Sequence, residues 1–93
     1  MSIEFSLYFK WVLKESTVEV FDAAIAQAFK KERLNQKLSM SAVAERAGLS
    51  QQMISYVERG IRKPTLDTAF RISVALDVDL WKIIKAASKP KSP

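Results

Sequence analysis

Residues 38–60 read LSMSAVAERAGLSQQMISYVERG, and the fold turns on this stretch. Two short amphipathic segments flank Gly48-Leu49-Ser50. The first offers Val43, Ala44 and Ala47 to a core, the second Ile54 and Val57, each set at helical spacing. Gly48 stands where a tight helix-ending turn needs a left-handed backbone, which glycine adopts without a Cβ penalty. Ser50 stands where the next helix begins, and its hydroxyl can accept from an orphan backbone N–H. Ala44 is small enough to let the two helices approach closely at a steep angle. The spacing predicts helices over 40–47, capped by Ser39, and over 51–59, stopped by Gly60.

Working outward, Ile61-Arg62-Lys63-Pro64 reads as a loop, extended ahead of Pro64. Thr65 can cap a helix over 66–76, with Leu66, Ala69, Phe70, Ile72, Ser73 and Leu76 on its inward face. Asp79 can cap a last helix over 80–87, which would bury Leu80, Ile83, Ile84 and Trp81. Upstream, Ser16-Thr17-Val18-Glu19 matches a capping box, and a helix from there to Asn35 would bury Val18, Phe21, Ile25, Ala28 and Phe29. Lys30, Lys31, Arg33 and Lys37 cluster towards its C-terminal end, where cations complement the helix dipole.

The first segment is of a different kind. Ile3, Phe5, Leu7, Phe9, Trp11 and Leu13 fill the odd positions, and even positions other than Tyr8 and Val12 are polar. Alternation is the strand signature, so residues 2–13 read as a β-strand; a short buried helix is the alternative. No second strand is visible, and a lone strand leaves its ladder groups unpaired. Pairing with the same strand of another copy would satisfy them, which motivates the hypothesis of an intermolecular dimerisation ribbon. Deleting residues 1–14 and measuring solution mass tests it: a truncated chain that stays dimeric would sink it. The expected organisation is an extension over 1–15, a helical domain over 16–87 and a flexible tail over 88–93, Ser-Lys-Pro-Lys-Ser-Pro.

Composition excludes much. Ninety-three residues make one small domain, and a hydrophobic fraction of 48% supports a core. Cysteine and histidine are both absent, which removes disulfides, thiolates, the commonest general base and the commonest metal ligand. With two glycines there is no glycine-rich phosphate cradle, and no nucleophile–base arrangement is recognisable. No enzymatic activity, metal or cofactor is expected. The net charge of +5 spreads as +1 over 1–38, +2 over 39–64 and +2 over 65–93, which suits a polyanion partner without requiring one. No apolar run reaches the ~18 residues of a bilayer span. The N-terminus, interrupted by Glu4, Lys10 and Lys14, lacks the form of a secretory signal. The expectation is a soluble, cytoplasmic protein with no membrane partner.

The helix–turn–helix spacing of 38–60 belongs to a motif whose second helix enters the DNA major groove. From about Phe21 to Lys85 the chain resembles the Cro/C1-type (XRE-type) helix-turn-helix family of phage and bacterial repressors. The likeness rests on LSMSAVAERAGLSQQMISYVERGIRKPTLDTAFRISVALDV from Leu38 onward: the small and apolar positions, the turn glycine, the Val-Glu-Arg-Gly helix end and the following Pro-Thr-Leu. It implies an all-α, five-helix, lambda-repressor-like DNA-binding domain, to which residue patterning adds the N-terminal β-strand extension.

With Ile54 and Val57 inward, a rotation of ~100° per residue turns Gln52, Ser55, Tyr56 and Arg59 outward. The resemblance places base reading on Gln51, Gln52, Ser55 and Tyr56. Glutamine pairs a donor with an acceptor that match adenine N6 and N7, worth ~1–3 kcal/mol of discrimination per good pair. Phosphate contacts fall to Ser39, to the backbone N–H groups of Met40 and Ser41, and to Lys37, Arg59, Arg62 and Lys63. Many family members carry a glutamine at the position of Met40 that anchors a phosphate and braces the recognition helix; a methionine can do neither. The family also pairs an arginine late in the first helix with the glutamate ending the third, which picks out Arg33 and Glu58 as structural residues beside Gly48.

Two functions fit. One is a homodimeric transcription regulator, most simply a repressor, reading double-stranded DNA at a near-palindromic operator without a small-molecule effector. The other is a protein-interaction module of the same fold, acting on another regulator or a toxin.

Overall fold

A computed structural model of the chain describes residues 15–88 together with Lys10. It contains, among the described residues, five helices and no strand: α1 Glu15–Asn35, α2 Met40–Ala47, α3 Gln51–Glu58, α4 Leu66–Ala75 and α5 Leu80–Ser88. The alternating segment 2–13 lies outside the described residues apart from Lys10, which is helical and exposed.

Side-chain oxygens cap three of these helices. Ser39 Oγ accepts from the Ala42 N–H at 3.0 Å, Ser50 Oγ from Met53 at 3.0 Å, and Thr65 Oγ1 from Thr68 at 3.1 Å. Ser16 is not the residue at which α1 begins, because the backbone is already helical at Glu15. A capping pattern starts a helix only where the preceding backbone leaves helical geometry. The Asp79 carboxylate instead sits 3.5 Å from Lys82 Nζ, while its backbone carbonyl accepts from Lys82 and Ile83.

The C-terminal ends share one device. At each of α1 to α4 a left-handed residue is followed by an apolar one whose N–H reaches back five residues. The left-handed residues are Lys37, Gly48, Gly60 and Asp77, with φ of 58°, 68°, 73° and 55°. The returning bonds are Leu38 to Arg33 O at 3.1 Å, Leu49 to Ala44 O at 2.9 Å, Ile61 to Tyr56 O at 2.9 Å and Val78 to Ser73 O at 3.0 Å.

The core gathers Phe29 from α1, Val43, Ala44 and Ala47 from α2, Ile54 and Val57 from α3, and Ile72 and Leu76 from α4. Helix α2 packs against α3 and α4, and α1 packs against α3 and α5. Ser73, fully buried, is satisfied by donating to Phe70 O at 2.7 Å. Four residues expected inside face solvent: Val18, Leu66, Phe70 and Trp81. Each has an apolar neighbour at helical spacing that takes the inward place, as Ala69 and Ile72 do on α4. Helical periodicity identifies an apolar stripe; it does not say whether a second element covers it.

Candidate nucleic-acid interface

Helix α3 is anchored by Ile54 and Val57, each 1% exposed. That orientation leaves Gln51, Gln52 and Arg59 exposed and Ser55 and Tyr56 half-buried. Two local bonds order the side chains of its outer face. Ser41 Oγ donates to Gln51 Oε1 at 2.7 Å, joining the first turn of α2 to that of α3. Gln52 Nε2 donates to the Tyr56 hydroxyl at 2.6 Å, one helical turn away. The Arg62 guanidinium lies over the Tyr56 ring, 5.7 Å from its centre, within cation–π range. Gln52, Tyr56 and Arg62 therefore form one connected group on the surface. Gln52 keeps its carbonyl oxygen and a second amide proton outside that bond, the pair that a base edge would meet.

The α2 N-terminus lies beside this face through the Ser41–Gln51 bond. Because Ser39 satisfies the Ala42 N–H, the first-turn N–H groups of Met40 and Ser41 stay outside the helical ladder. Met40 itself packs against the core. Ser41 and Gln51 thus form a brace between the two helices that neither residue's type announces in the sequence.

The basic residues are not equivalent. Arg59 and Arg62 are exposed in and just after the α3 end, and Lys37 is exposed in its left-handed turn before α2. Lys63 Nζ sits 3.1 Å from Asp22 Oδ2 on α1, an ion pair without a well-aligned hydrogen bond. Asp22 is a partner that sequence reasoning missed. An isolated carboxylate forty residues upstream carries no local signal, and only the packing of the loop onto α1 brings the two together.

Behind the face, Arg33 Nε donates to Glu58 Oε2 at 2.7 Å and Nη2 donates to Oε1 at 2.9 Å, both side chains buried. Arg33 Nη1 also donates to Leu38 O at 2.9 Å. One guanidinium thereby ties α1 to the end of α3 and to the loop that leads into α2. Its hydrogen bond to Glu58 raises the Arg33 pKa above the ordinary arginine value, against the opposing effect of burial. Gln36, in the turn just after α1, donates to Leu76 O at 2.6 Å and holds the end of α4. No cluster of potential metal ligands exists among the described residues, and no helix among them is long and apolar enough to cross a membrane.

Comparisons with known proteins agree with this architecture. The helix-turn-helix family model matches residues 29–80. An uncharacterized HTH-type transcriptional regulator of Mycobacterium tuberculosis is 43% identical over 49 residues, which cover 53% of this chain and 35% of that protein. The chain thus spans about a third of the length of that relative. An uncharacterized HTH-type transcriptional regulator of Sinorhizobium fredii is 37% identical over 60 residues, covering 64% of this chain and 78% of the relative. Among solved structures, the restriction-modification controller protein C.AhdI from Aeromonas hydrophila aligns with a TM-score of 0.63 at 26% identity, over 66% of this chain and 92% of that one. A mutant of the restriction-modification controller protein C.Esp1396I aligns with a TM-score of 0.67 at 22% identity, over 72% and 87% of the two chains, a likeness of fold. Buried helix–turn–helix core, capped recognition helix and family match converge: the chain belongs to the Cro/C1-type (XRE) helix-turn-helix family of DNA-binding transcriptional regulators.

Proposed function

We propose that the chain is a sequence-specific regulator that binds double-stranded DNA as a homodimer, most simply a repressor, and inserts α3 into the major groove of each half of a near-palindromic operator. The observation that carries this reading is the outer face of α3, where short polar bonds order Gln51, Gln52 and Tyr56 beside a half-buried Ser55. Gln52 reads a base edge through the free part of its amide, adenine being the best match. Tyr56 takes the Gln52 proton and has its own hydroxyl proton left for a phosphate oxygen. Ser55 contacts a neighbouring base. Ser39, Lys37, Arg59 and Arg62 and the first-turn N–H groups of Met40 and Ser41 set the register on the backbone. Lys63 contributes less than Arg59, because Asp22 already holds it.

Selection from a pool of random duplexes tests the reading. It should enrich a near-palindrome whose half-site centres lie roughly 34 Å apart. Three cations per copy give two copies a log–log salt slope of about −5. Arg59→Ala should weaken all duplexes alike, and Lys63→Ala less so. No enriched sequence together with no salt dependence would overturn the proposal in favour of a protein-directed role.

A further inference from the structure

The loop that leaves α3 sends its two cations in opposite directions. Gly60 opens it with φ of 73°, Ile61 bonds back to Tyr56 O, and beyond Pro64 the Thr65 side chain caps α4, so its backbone is held at both ends. Arg62 turns toward the outer face of α3, its guanidinium 5.7 Å from the centre of the Tyr56 ring. Lys63 turns to α1, where its Nζ lies 3.1 Å from Asp22 Oδ2. The Lys63 side chain is 71% exposed and that of Asp22 31%. Oδ2 itself is buried, and among the described residues no donor makes a well-aligned hydrogen bond to it. Charge rather than a directed bond therefore holds the pair. Glu19, three positions before Asp22 on α1, borders the same cleft as Arg62, Lys63 and Pro64. It is exposed and makes no ion pair among the described residues.

We propose that Asp22 is a built-in substitute for a DNA phosphate: it holds Lys63 in the free protein and so lowers the affinity of the chain for every duplex. This rests on the reading of α3 and its following loop as the DNA surface. To an ammonium group a carboxylate and a phosphate oxygen are the same kind of partner, an anionic acceptor of a charge-assisted bond. Lysine suits an exchange between them. Its ammonium is a compact charge with three donors on a flexible stem, so it changes acceptor by rotating its own side chain while the loop backbone stays in place. The duplex offers one negative charge per ~1.7 Å of its axis, against the single carboxylate of Asp22. The pair is weak enough to yield to that field, since solvent-exposed pairs shift an equilibrium by about fivefold at most. A latch of this strength does not block DNA binding. It trims affinity and withholds one cation per copy from the count that responds to salt. Asp22 acts through Lys63 and is a positioning residue, reached through the packing of the loop onto α1.

Affinity for a random-sequence duplex, measured by fluorescence anisotropy of the full chain over a salt series, tests the latch. Such a duplex presents phosphates whatever α3 reads, so a failure of base recognition leaves this result intact. Asp22→Asn should tighten binding by about two- to fivefold at low salt. It should also steepen the log–log salt slope by about 0.9 per copy, the released lysine now counting as a phosphate contact. A merely structural role for Asp22 would not steepen that slope. In a Lys63→Ala background Asp22→Asn should lose most of both gains. Glu19→Gln removes the same charge from the same cleft without freeing a lysine, and should leave the slope as in the wild type. An Asp22→Asn slope equal to that of the wild type would overturn the proposal. So would an equal steepening by Glu19→Gln, or a gain that survives without Lys63, since either would make the effect one of net charge. A wild type that binds no duplex even at low salt would overturn it together with the DNA-binding reading.

Discussion

Arg33 and Glu58 stand 25 positions apart in the chain, yet their bidentate pair fixes where α3 ends relative to α1. A buried pair is costly to break because the surviving charge has no solvent. Arg33→Ala or Glu58→Ala should therefore lose about 3–5 kcal/mol in urea unfolding, whereas Arg33→Met combined with Glu58→Leu should lose much less. The raised Arg33 pKa adds stability that is complete below the ordinary arginine value and disappears only as pH climbs through the higher folded value. Lys37 is a second residue with a measurable consequence. It holds a left-handed backbone that disfavours any side chain, so Lys37→Gly should raise stability by about 0.5–1 kcal/mol, the relieved strain less the added freedom of the unfolded glycine. The same substitution removes a cation, so DNA affinity should fall while stability rises.

At the scale of elements, caps decide the helix boundaries. Ser50→Ala should cost about 1 kcal/mol by orphaning the Met53 N–H at the start of α3. Gly48→Ala should cost about 1–2 kcal/mol through φ of +68°, since the atom nearest the added methyl, Arg71 Nη1 at 3.4 Å, can move. Chemical denaturation checks both. These boundaries were legible because Ser39, Gly48, Ser50, Gly60 and Thr65 each act on the backbone within five residues of themselves. The end at Lys37 was not, because a lysine side chain disfavours the left-handed turn it adopts and the cue is the apolar Leu38 that follows; Asp77 is of a type that tolerates that turn, and Val78 follows it in the same way. Ser16 misled for the opposite reason, having cap chemistry where the helix already runs. On the candidate face, rotation about α3 predicts the exposure of Gln52 and Arg59, while Ser55 and Tyr56 are half-buried; the pairings Ser41–Gln51, Gln52–Tyr56 and Asp22–Lys63 depend on rotamers and on packing between elements. Periodicity places Leu66, Phe70 and Trp81 inward, yet they face solvent, because a stripe's hydrophobicity is local and its covering is not.

For the whole molecule, exposed Lys37, Arg59 and Arg62 flank the helix–turn–helix, while α4 and α5 carry exposed apolar side chains among charges of both signs. Base reading by α3 can be tested by one comparison of affinities. Fluorescence anisotropy would give the affinity for a selected duplex and for a scrambled duplex of equal composition, for the wild type and for Gln52→Ala, at one fixed salt concentration. The wild type should prefer the selected duplex by at least 10³-fold. Gln52→Ala should lose ~1–3 kcal/mol of that preference while its affinity for the scrambled duplex stays within about twofold. Equal loss on both duplexes, or no loss on either, would contradict base reading by α3.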